Sequence, residues 1–584
     1  MFKLFRKFKP KERGYIGISL VFIVVQVWLD LRLPDYMSNV TSLVQTEGSS
    51  MKDILEQGGY MLLCAFGSMA AAMIVGYFAA KVSAGLAHTL RGQVYDKVMD
   101  YSMEEVNRFS TSSLINRTTN DITQIQTLVA MGLQAIIKAP ILAVWAVVKI
   151  SGKSWQWTTA TAVAVFVLII LLGATLVFAV PRFKRIQGLT DNLNRVTREQ
   201  LTGIRVVRAY NAEEYQEKKF SDTNEELTRT NLTANRVMAI MSPGMTLINS
   251  GLTLAVYWLG AYMIEAAGFD EKLGIFSDMV VFSNYAMQVI MAFMMLNMIF
   301  ILLPRAQVSA KRVCEVLETE IRINDGKGTE VEPDMQGYVE FRNVSFRYPG
   351  SGGDTLSDIS FTARKGETVA FIGATGSGKT TLINLIPRFY DVGKGQVLVD
   401  GVDVRDYIQK DLRNRIGYVS QKATLFRGTV FSNVAYGENG RPAIGTQEVK
   451  EAVSIAQAAD FVERMPEKYE GAIAQGGANV SGGQRQRLSI ARAIARKPEI
   501  LIFDDSFSAL DYKTDRALRK ALNEATAQAT KLIVAQRIGT IRNADLIIVL
   551  EKGRIAGKGR HEELLATCPA YQEIAISQLS KEEL

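Results

Sequence analysis

Cysteine and histidine are both scarce in this chain of 584 residues. The three cysteines, Cys64, Cys314 and Cys568, are widely spaced and form no CxxC pair, so neither a disulfide framework nor a metal site is indicated. The only histidines are His88 and His561, and they lie in unrelated sequence contexts. A site that needs an imidazole therefore has few candidates.

A strong charge bias is also lacking, because the net charge of +8 comes from 67 basic and 59 acidic residues. The positive excess does not indicate nucleic acid binding, since a basic cluster precedes the first apolar run. This cluster consists of Lys3, Arg6, Lys7, Lys9, Lys11 and Arg13. Such a cluster is typical of a cytoplasmic anchor to anionic lipid. We expect a lipid bilayer as a partner and no nucleic acid.

Long apolar runs are what the first half contains instead. A helix needs about 20 residues to cross a hydrocarbon core of about 30 Å. Six segments qualify, near residues 15–36, 58–80, 130–150, 157–180, 238–264 and 279–303. The first is not a signal peptide, because it is long, lacks a small-x-small cleavage site and ends at Asp30-Leu-Arg32. We predict six retained membrane helices.

The connections between these segments differ in charge. The long polar loops at 81–129 and 181–237 are basic, and the second holds eleven Lys or Arg residues between Arg182 and Arg236. The connections at 35–57 and 265–278 are mostly acidic. Because basic loops stay in the cytoplasm, both long loops, the N-terminus and the C-terminal half are predicted to be cytoplasmic. We expect a multi-pass protein of the cell membrane, in a bacterial plasma membrane.

The chain is too long for one hydrophobic core, and its composition divides it. Beyond about residue 305, short β-branched runs alternate with glycine turns and charged helical patterns, as in a soluble α/β domain. We predict a transmembrane domain at 1–305, a charged linker at 306–336 and an α/β domain at 337–584.

The α/β half contains a glycine-rich loop between an apolar strand at 368–372 and a helical run at 381–389. The loop is Gly373, Ala374, Thr375, Gly376, Ser377, Gly378, Lys379 and Thr380, and Thr381 follows in the helix. Glycines let the backbone wrap phosphates, and a helix N-terminus stabilises the anion. In this P-loop pattern Lys379 reaches the β and γ phosphates of ATP, and Thr380 coordinates Mg²⁺.

Two further motifs complete this picture. The apolar strand at 500–503 ends in Asp504, the second Mg²⁺ contact expected of a P-loop NTPase. A second anion-binding helix start is formed by Ser481, Gly482, Gly483 and Gln484. A chain that already has a P-loop does not need a second helix N-terminus to bind the phosphates of its own ATP. We infer that it serves the ATP of another chain.

With these motifs the chain resembles the ATP-binding cassette (ABC) transporters of the exporter type, over essentially its whole length. The resemblance implies that Tyr348 stacks on adenine, that Gln421 forms the Q-loop and contacts Mg²⁺, and that Ser481 to Gln484 form the signature. It also implies that Ser508 to Asp511 form the D-loop, with Asp511 near the catalytic centre. Segments near 103–113 and 211–216 resemble the coupling helices that touch the nucleotide-binding domains.

The resemblance implies a fold of six long membrane helices, domain-swapped with a partner half, plus a P-loop α/β nucleotide-binding domain. Two halves then face each other head to tail. Each ATP is clamped between the P-loop of one half and the signature of the other.

Two positions depart from the family pattern. Asp505 stands where the family usually has Glu, and its carboxylate is shorter by one methylene; such misplacement lowers a rate by about 100-fold, or about 3 kcal/mol. Gln536 replaces the switch histidine and cannot carry a proton or positive charge. Together these catalytic positions indicate a degenerate site that retains ATP.

A weak site beside an intact signature suggests a non-identical partner half. Our hypothesis is a heterodimeric, multidrug-type exporter in which this chain lends Ser481 to Gln484 to the partner's working site. A homodimeric lipid or peptide exporter is an alternative of the same class. A regulatory ATP-binding membrane subunit is an alternative of another class, which the intact signature disfavours.

Candidate substrate contacts lie in the membrane half. A hydrophobic small-molecule substrate suits unbranched, polarizable side chains, and four methionines fall on one helical face: Met287, Met291, Met294 and Met298. Lipid contact or helix packing explains the same pattern equally well. Asn249 and Gln288 are polar candidates, and Lys138 and Asp278 are charged ones.

Overall fold

The computed structural model describes residues 7–46, 48–151, 154–328 and 331–578. Lys3 and Arg6 of the predicted basic cluster lie outside these ranges. The chain divides into two compact units: one is Met1–Met99 with Thr111–Thr319, and the other is Asp100–Ser110 with Glu320–Leu584. The short segment Asp100–Ser110 thus belongs with the C-terminal unit, although its sequence neighbours belong to the first.

The first unit is built from long helices, since a helix satisfies its backbone hydrogen bonds internally in hydrocarbon. The helices up to residue 318 are α1 (Pro10–Gln45), α2 (Met51–Met99), α3 (Met103–Phe109), α4 (Thr111–Asn116), α5 (Ile122–Ser151), α6 (Trp155–Thr202), α7 (Ile204–Ala209), α8 (Glu213–Ala239), α9 (Met241–Ala266) and α10 (Phe269–Glu318). Six helical stretches within the described residues are long and apolar enough to cross a membrane. This confirms the prediction of an all-α membrane domain with six spans.

The core of this unit lies among α1, α2, α5, α6, α9 and α10. The Trp157 indole on α6 is almost fully buried and donates to the Val256 carbonyl on α9 at 3.1 Å. The Trp157 ring also contacts Phe282 on α10, with ring centroids 5.4 Å apart. An aromatic ring with a satisfied N–H therefore joins three helices without leaving a polar group unpaired.

A π-helical turn, Arg117–Asp121, joins α4 to α5. Asp121 is buried, and one of its carboxylate oxygens accepts from the Ser309 hydroxyl on α10 at 2.7 Å. Arg117 pairs with Glu315, also on α10, at 2.7 Å. These two contacts fasten the first long loop to α10 at a single π turn, a feature that often occurs at functional positions.

The second unit has a parallel sheet and an antiparallel sheet. The strands are β1 (Val339–Phe346), β2 (Leu356–Ala363), β3 (Thr368–Gly373), β4 (Lys394–Val399), β5 (Val402–Asp403), β6 (Ile416–Val419), β7 (Gly428–Thr429), β8 (Ala472–Ile473), β9 (Ile500–Asp504), β10 (Thr530–Val534), β11 (Leu546–Glu551) and β12 (Arg554–Gly559). The larger sheet has the order β12-β11-β3-β10-β9-β6, with only β12 antiparallel. A four-stranded antiparallel sheet has the order β2-β1-β4-β5, and β7 pairs with β8.

Helices cover the larger sheet. They are α11 (Lys379–Leu385), α12 (Gln409–Asn414), α13 (Val430–Val434), α14 (Thr446–Ile455), α15 (Ala459–Val462), α16 (Gly482–Ala495), α17 (Tyr512–Ala525), α18 (Ile538–Ile541), α19 (His561–Thr567) and α20 (Pro569–Gln578). Strands β9 and β10 are buried along their whole length, as central parallel strands are. The carboxyl ends of β3, β9 and β10 therefore meet at one edge, and this edge carries the predicted site.

Candidate active site

The glycine-rich loop connects β3 to α11, as predicted. Gly376 and Gly378 have φ of 84° and 100°, a region that favours glycine. A Cβ on Gly378 would approach a side-chain carbon of Leu356 to 2.6 Å, whereas one on Gly376 would meet nothing within 4 Å. The loop therefore needs glycine for its path, and it leaves open space for a phosphate beside Gly376.

Lys379 begins α11 and turns back over the loop. Its ammonium donates to the carbonyl oxygens of Gly373 and Ala374, both at 2.8 Å, and approaches the Ser377 hydroxyl at 3.4 Å. Burial lowers the pKa of Lys379, while the charges of Asp505 and Asp504 raise it. A buried cation whose hydrogen bonds go to neutral oxygens is well suited to exchange them for phosphate oxygens.

Thr380 and Asp504 provide a pair of hard oxygen donors. The Thr380 hydroxyl donates to Asp504 Oδ1 at 2.9 Å, across the ends of α11 and β9. Burial raises the pKa of Asp504, and the hydrogen bond from Thr380 lowers it. Mg²⁺ prefers such ligands and completes its shell with water and phosphate oxygens. The residues present therefore fit Mg²⁺ bound together with a nucleotide.

Asp505 is the centre of a hydrogen-bonded group that spans three segments. Its Oδ2 accepts from the Gln536 amide at 2.7 Å and from the Gln421 amide at 3.4 Å. Its backbone is left-handed, with φ of 47°, and its N–H donates to the Val534 carbonyl at 3.0 Å. Burial raises the pKa of Asp505, and bonds with Ser508 and Gln421 oppose that rise. The two departures from the family pattern are thus bonded directly to each other.

Sequence reasoning identified Asp505 and Gln536 separately and did not predict this bond. Glutamine at 536 can donate to the carboxylate, whereas it cannot accept a proton as an imidazole can. The pair keeps the geometry of a base beside its orienting partner. Its capacity for proton transfer is weaker than that of a Glu and His pair.

Tyr348 lies beside the P-loop helix and is half-buried. Its hydroxyl lies 3.1 Å from the Thr381 hydroxyl. Its ring meets that of Tyr390 edge to face, with centroids 5.2 Å apart. The structure therefore brings Tyr348, Thr381 and the P-loop together, and one ring face is positioned by Tyr390.

The signature residues lie at the start of α16. The Ser481 hydroxyl accepts from the Gln484 N–H at 3.3 Å, and the Gln484 side-chain oxygen accepts from the Ser481 N–H at 2.8 Å. This capping box fixes the helix start. Ser481 and Gly482 are exposed. The helix N-terminus is therefore open to solvent, and its use by the ATP of another chain stays a prediction.

Asp511 caps α17 by accepting from the Thr514 N–H at 2.9 Å. This backbone hydrogen bond lowers the pKa of Asp511. The side chain is exposed. A Cβ placed on Gly483 would lie 3.4 Å from the Ala509 carbonyl, so the D-loop and the signature helix are neighbours.

The helix predicted near 103–113 is observed as α3, which lies in the C-terminal unit. Asn107 donates to the Tyr390 hydroxyl at 3.1 Å. Glu104 pairs with Arg322 at 2.5 Å. Because Tyr390 also contacts Tyr348, α3 is joined to the P-loop helix through two aromatic rings. Sequence reasoning did not identify Tyr390. An aromatic residue shortly after the end of α11 was the signal in the sequence for a contact near the P-loop helix.

Of the segment predicted near 211–216, residues 211 and 212 lie in the turn between α7 and α8, and residues 213–216 form the first turn of α8. Its surroundings are apolar and exposed, since Val206, Tyr210 and Tyr215 show 61%, 80% and 68% of their surface. Exposed apolar residues grouped at one tip are typical of a surface that another chain covers.

The candidate substrate residues lie on two helices of the membrane unit. Met287, Met291 and Met294 on α10 are exposed, and Asn249 on α9 is half-buried. The side chain of Met298 lies outside the described residues. Gln288 donates to the Asp30 carbonyl at 3.2 Å. The methionine face is therefore accessible, whereas Gln288 is engaged in contact between helices.

The charged candidates, Lys138 and Asp278, lie on α5 and α10. Lys138 pairs with Asp30 of α1 at 3.1 Å, and Lys149 pairs with Asp35 at 2.7 Å. Asp278 lies near the start of α10. Two cations of α5 are thus neutralised by two carboxylates of α1, an arrangement that lowers the high cost of charge in a bilayer. Sequence reasoning had not identified Asp30 or Asp35 as their partners.

Comparison with known proteins gives a consistent result. The profile of the ABC transporter transmembrane region matches residues 16–293, and that of the ABC transporter domain matches residues 356–508. An uncharacterized ABC transporter ATP-binding protein of Mycobacterium tuberculosis is 38% identical over 98% of both chains. An ATP-dependent lipid A-core flippase of Pseudomonas aeruginosa is 32% identical, over 87% of this chain and 82% of that protein.

The fold is shared with a solved structure of a bacterial Atm1-family ABC exporter with ATP bound. The TM-score is 0.79, and the alignment covers 97% of this chain and 99% of that one. Sequence identity is 24%, so this likeness concerns the fold alone.

Proposed function

This chain belongs to the ABC transporter family and has the exporter fold, and from that premise we propose that it is one half of a heterodimeric exporter with a degenerate ATP site. Members of the family are ATP-driven transporters, and the six spans make the chain a multi-pass membrane protein. We place it in a bacterial plasma membrane, with the N-terminus, both long loops and the nucleotide-binding domain in the cytoplasm. The membrane domain extends to about residue 305 and the nucleotide-binding domain begins near residue 337.

The P-loop residues, Gly373 to Thr381, are assigned to ATP. Lys379 holds the β and γ phosphates by exchanging its carbonyl partners for them. Thr380, Asp504 and Gln421 hold Mg²⁺, and Tyr348 stacks on adenine. The open space beside Gly376 and the paired oxygens of Thr380 and Asp504 support this assignment. When bound, Mg²⁺ would neutralise phosphate charge, and the binding and hydrolysis of ATP would supply the free energy that drives transport.

The observation that carries the proposal is the bond from Gln536 to Asp505 at 2.7 Å. Through this bond Gln536 orients the short carboxylate of Asp505, but the Gln536 amide cannot share or carry a proton. A misplaced base lowers the rate by about 100-fold, whereas the P-loop contacts for binding are all present. Tight binding with slow hydrolysis makes this an ATP-retaining site.

A non-identical partner follows from the division between a weak site and a sound signature. Ser481 to Gln484 form an exposed, capped helix start that this chain's own P-loop does not use. The apolar tip at Val206, Tyr210 and Tyr215 is also uncovered within the chain. We propose that the tip docks on the partner's nucleotide-binding domain, in a domain-swapped arrangement. The signature then serves the partner's ATP.

We propose amphipathic or hydrophobic compounds, of multidrug type, as the exported substrates. The exposed methionine face of α10 supports this choice, because methionine side chains adapt to ligands of different shape. A homodimeric lipid exporter is the second candidate, and the similarity to a lipid A-core flippase favours it. In a homodimer, both ATP sites depend on Asp505 and Gln536.

The test separates these two assemblies. The tagged chain is expressed alone and together with an exporter half from an adjacent reading frame that has Glu and His at the matching positions. We expect stable co-purification in a 1:1 ratio and ATP turnover at ordinary exporter rates only in the mixed complex. Replacing the partner's catalytic Glu should reduce this turnover to the slow rate of this chain's own site. The chain alone should bind ATP and turn it over about 100-fold more slowly. Ordinary exporter turnover by the chain alone would overturn the degenerate-site proposal and favour the homodimer.

The substrate class needs a separate measurement. Vesicles containing the complex should accumulate a fluorescent amphipathic dye in an ATP-dependent manner. A complex that moves only labelled phospholipid between leaflets, and no dye, would support the lipid exporter instead. The Lys379→Ala variant controls for ATP binding in both assays.

A further inference from the structure

The last described helix of the chain, α20, ends against the loop that carries Gln536. The Gln578 side chain makes two hydrogen bonds to this loop. Its Nε2 donates to the Gln536 carbonyl at 2.8 Å, and its Oε1 accepts from the Ile538 N–H at 2.9 Å. One amide therefore holds both peptide groups on either side of Arg537.

This contact is specific to the residue type. Glutamine carries a donor and an acceptor at the end of the same side chain, so it can pair with a carbonyl and an N–H as a neighbouring strand does. Glutamate would keep the acceptor but place a charged oxygen against the Gln536 carbonyl. Alanine would remove both bonds and leave the loop without this support.

Helix α20 is itself firmly held, although Gln578 is exposed. Tyr571 and Ala575 are fully buried in the core of the nucleotide-binding unit. The Tyr571 hydroxyl lies 2.7 Å from His561 Nδ1 on α19. Because Ala575 and Tyr571 anchor the helix in the core one turn and two turns before its end, the Gln578 side chain is held in place beside the loop.

Gln536 is held at two points by this arrangement. Its carbonyl is fixed by Gln578, and its side-chain amide donates to Asp505 at 2.7 Å. A loop whose backbone is fixed loses less conformational freedom when its side chain orients another group. The position of the Asp505 carboxylate therefore depends on a residue that is distant in sequence and does not reach the P-loop.

We propose that Gln578 is a positioning residue for ATP hydrolysis at this site, acting through Gln536 on Asp505. The proposal rests on the proposed function, in which this P-loop binds and slowly hydrolyses ATP. Since Gln578 touches neither the P-loop nor the Mg²⁺ ligands, its loss should slow hydrolysis and leave ATP affinity unchanged.

The first measurement tests the contact without relying on ATP. Hydrogen exchange of the peptide covering residues 535–541 is compared in the wild-type exporter, Gln578→Ala and Gln572→Ala. Gln572 lies on the same helix and donates to the Leu565 carbonyl at 2.6 Å, so it is a matched control. We expect exchange at Ile538 to be about three- to tenfold faster in Gln578→Ala alone. Equal exchange in all three proteins would overturn the proposal.

The second measurement tests the role in hydrolysis. In a complex whose partner P-loop lysine is replaced, single-turnover hydrolysis reports this site alone. We expect Gln578→Ala to be about three- to tenfold slower than wild type, with the ATP Kd unchanged within about twofold. In a Gln536→Ala background the same change should have no further effect, because the residue through which Gln578 acts is absent.

The two measurements distinguish the possible failures. If exchange is faster in Gln578→Ala but the wild-type protein binds no ATP, the proposed function is contradicted. The contact between Gln578 and the loop is then still supported. A slower rate that persists in the Gln536→Ala background, or a change in Kd, shows a merely structural role for Gln578 and overturns the proposal.

Discussion

At the scale of single residues, our proposal of slow ATP hydrolysis depends on the pair Asp505 and Gln536. Each substitution alone changes one group, but the 2.7 Å bond between them makes them one unit. The carboxylate has an orienting donor and lacks a partner that shares its proton. In the function that we propose, this site hydrolyses ATP slowly and keeps it bound while the partner's site hydrolyses another.

Restoring both residues should restore turnover. We expect Asp505→Glu with Gln536→His to raise hydrolysis at this site about 10- to 100-fold, because the longer carboxylate reaches the water and the imidazole accepts charge. Either change alone should have a smaller effect, since the two side chains interact. Single-turnover hydrolysis in a complex with a disabled partner site measures this. No gain in the double variant would show that the rate is limited elsewhere.

His561 gives the nucleotide-binding unit a dependence on pH. Its side chain is buried, and burial lowers its pKa below the ordinary value of 6.5. Between this lowered pKa and 6.5, the folded state binds fewer protons than the unfolded state. The free energy of unfolding is therefore greatest above pH 6.5 and decreases as pH falls from 6.5 through the lowered pKa. Thermal unfolding at pH 7.5 and 5.5 should show a loss of Tm that is smaller in His561→Phe.

The exposed His88 provides the control for this experiment. His88→Phe should keep the wild-type pH dependence. A loss of Tm on acidification that is the same in His561→Phe as in wild type would contradict the assignment.

At the scale of secondary-structure elements, α3 is the part of the first long loop that belongs to the nucleotide-binding unit. Asn107 bonds to Tyr390, and Tyr390 contacts Tyr348 beside the P-loop helix. If Tyr348 stacks on adenine, as we propose, these contacts connect α3 to the bound nucleotide. This connection lies between residues almost 300 positions apart in sequence, as the separation of 283 between Asn107 and Tyr390 shows.

Removing one hydroxyl tests this connection. Tyr390→Phe keeps the ring contact with Tyr348 and deletes the bond to Asn107. We expect the stimulation of ATP turnover by substrate to fall about fivefold, from the loss of about 1 kcal/mol of coupling, with ATP affinity unchanged. Asn107→Ala should reproduce the effect, and Arg108→Ala on the same helix should not. Equal stimulation in all variants would contradict the connection.

The ion pair between α1 and α5 separates two interpretations of Lys138. If the residue chiefly neutralises Asp30, Lys138→Met leaves a carboxylate uncompensated in the membrane, at a cost of about 3 kcal/mol. Adding Asp30→Asn should then restore thermal stability in detergent. If Lys138 instead contacts substrate, the single variant keeps its stability and changes the range of compounds transported. We expect the first result, because the two charges lie 3.1 Å apart.

At the scale of the whole molecule, the chain is organised for a second half. Its signature is presented outward, and the apolar tip between α7 and α8 is uncovered. If the signature serves the partner's ATP, as we propose, the P-loop and the signature of this chain belong to two different ATP sites. Our proposal of two different halves rests on slow hydrolysis at this chain's P-loop site.

A cysteine cross-link tests the domain-swapped docking of the tip. In a background without Cys64, Cys314 and Cys568, a Tyr215→Cys chain is combined with single cysteines on the partner's nucleotide-binding domain. We expect a disulfide between the two chains on oxidation, seen as a product of their summed mass on a non-reducing gel. A cross-link that forms only to this chain's own nucleotide-binding domain, with the cysteine placed there instead, would contradict domain swapping.

The sequence by itself determined the six spans, the α/β character of the second unit, and the strand, loop and helix of the P-loop. These features depend on local patterns: apolar runs, alternation along strands, and glycines in left-handed conformations. The presence of Asp505 and Gln536 was equally visible. Each of these signals is contained in a few consecutive residues, so no knowledge of distant contacts was needed.

Only the tertiary structure decided how these residues meet. Different elements are joined by three sets of contacts: those of Gln421 and Gln536 with Asp505, those of Gln578 with the loop that carries Gln536, and that of Lys138 with Asp30. Such contacts depend on how sheet edges and helices pack, and their residue types have no distinctive local pattern. The physical reason is that hydrogen bonds and ion pairs act over about 3 Å in space, whatever the distance along the chain.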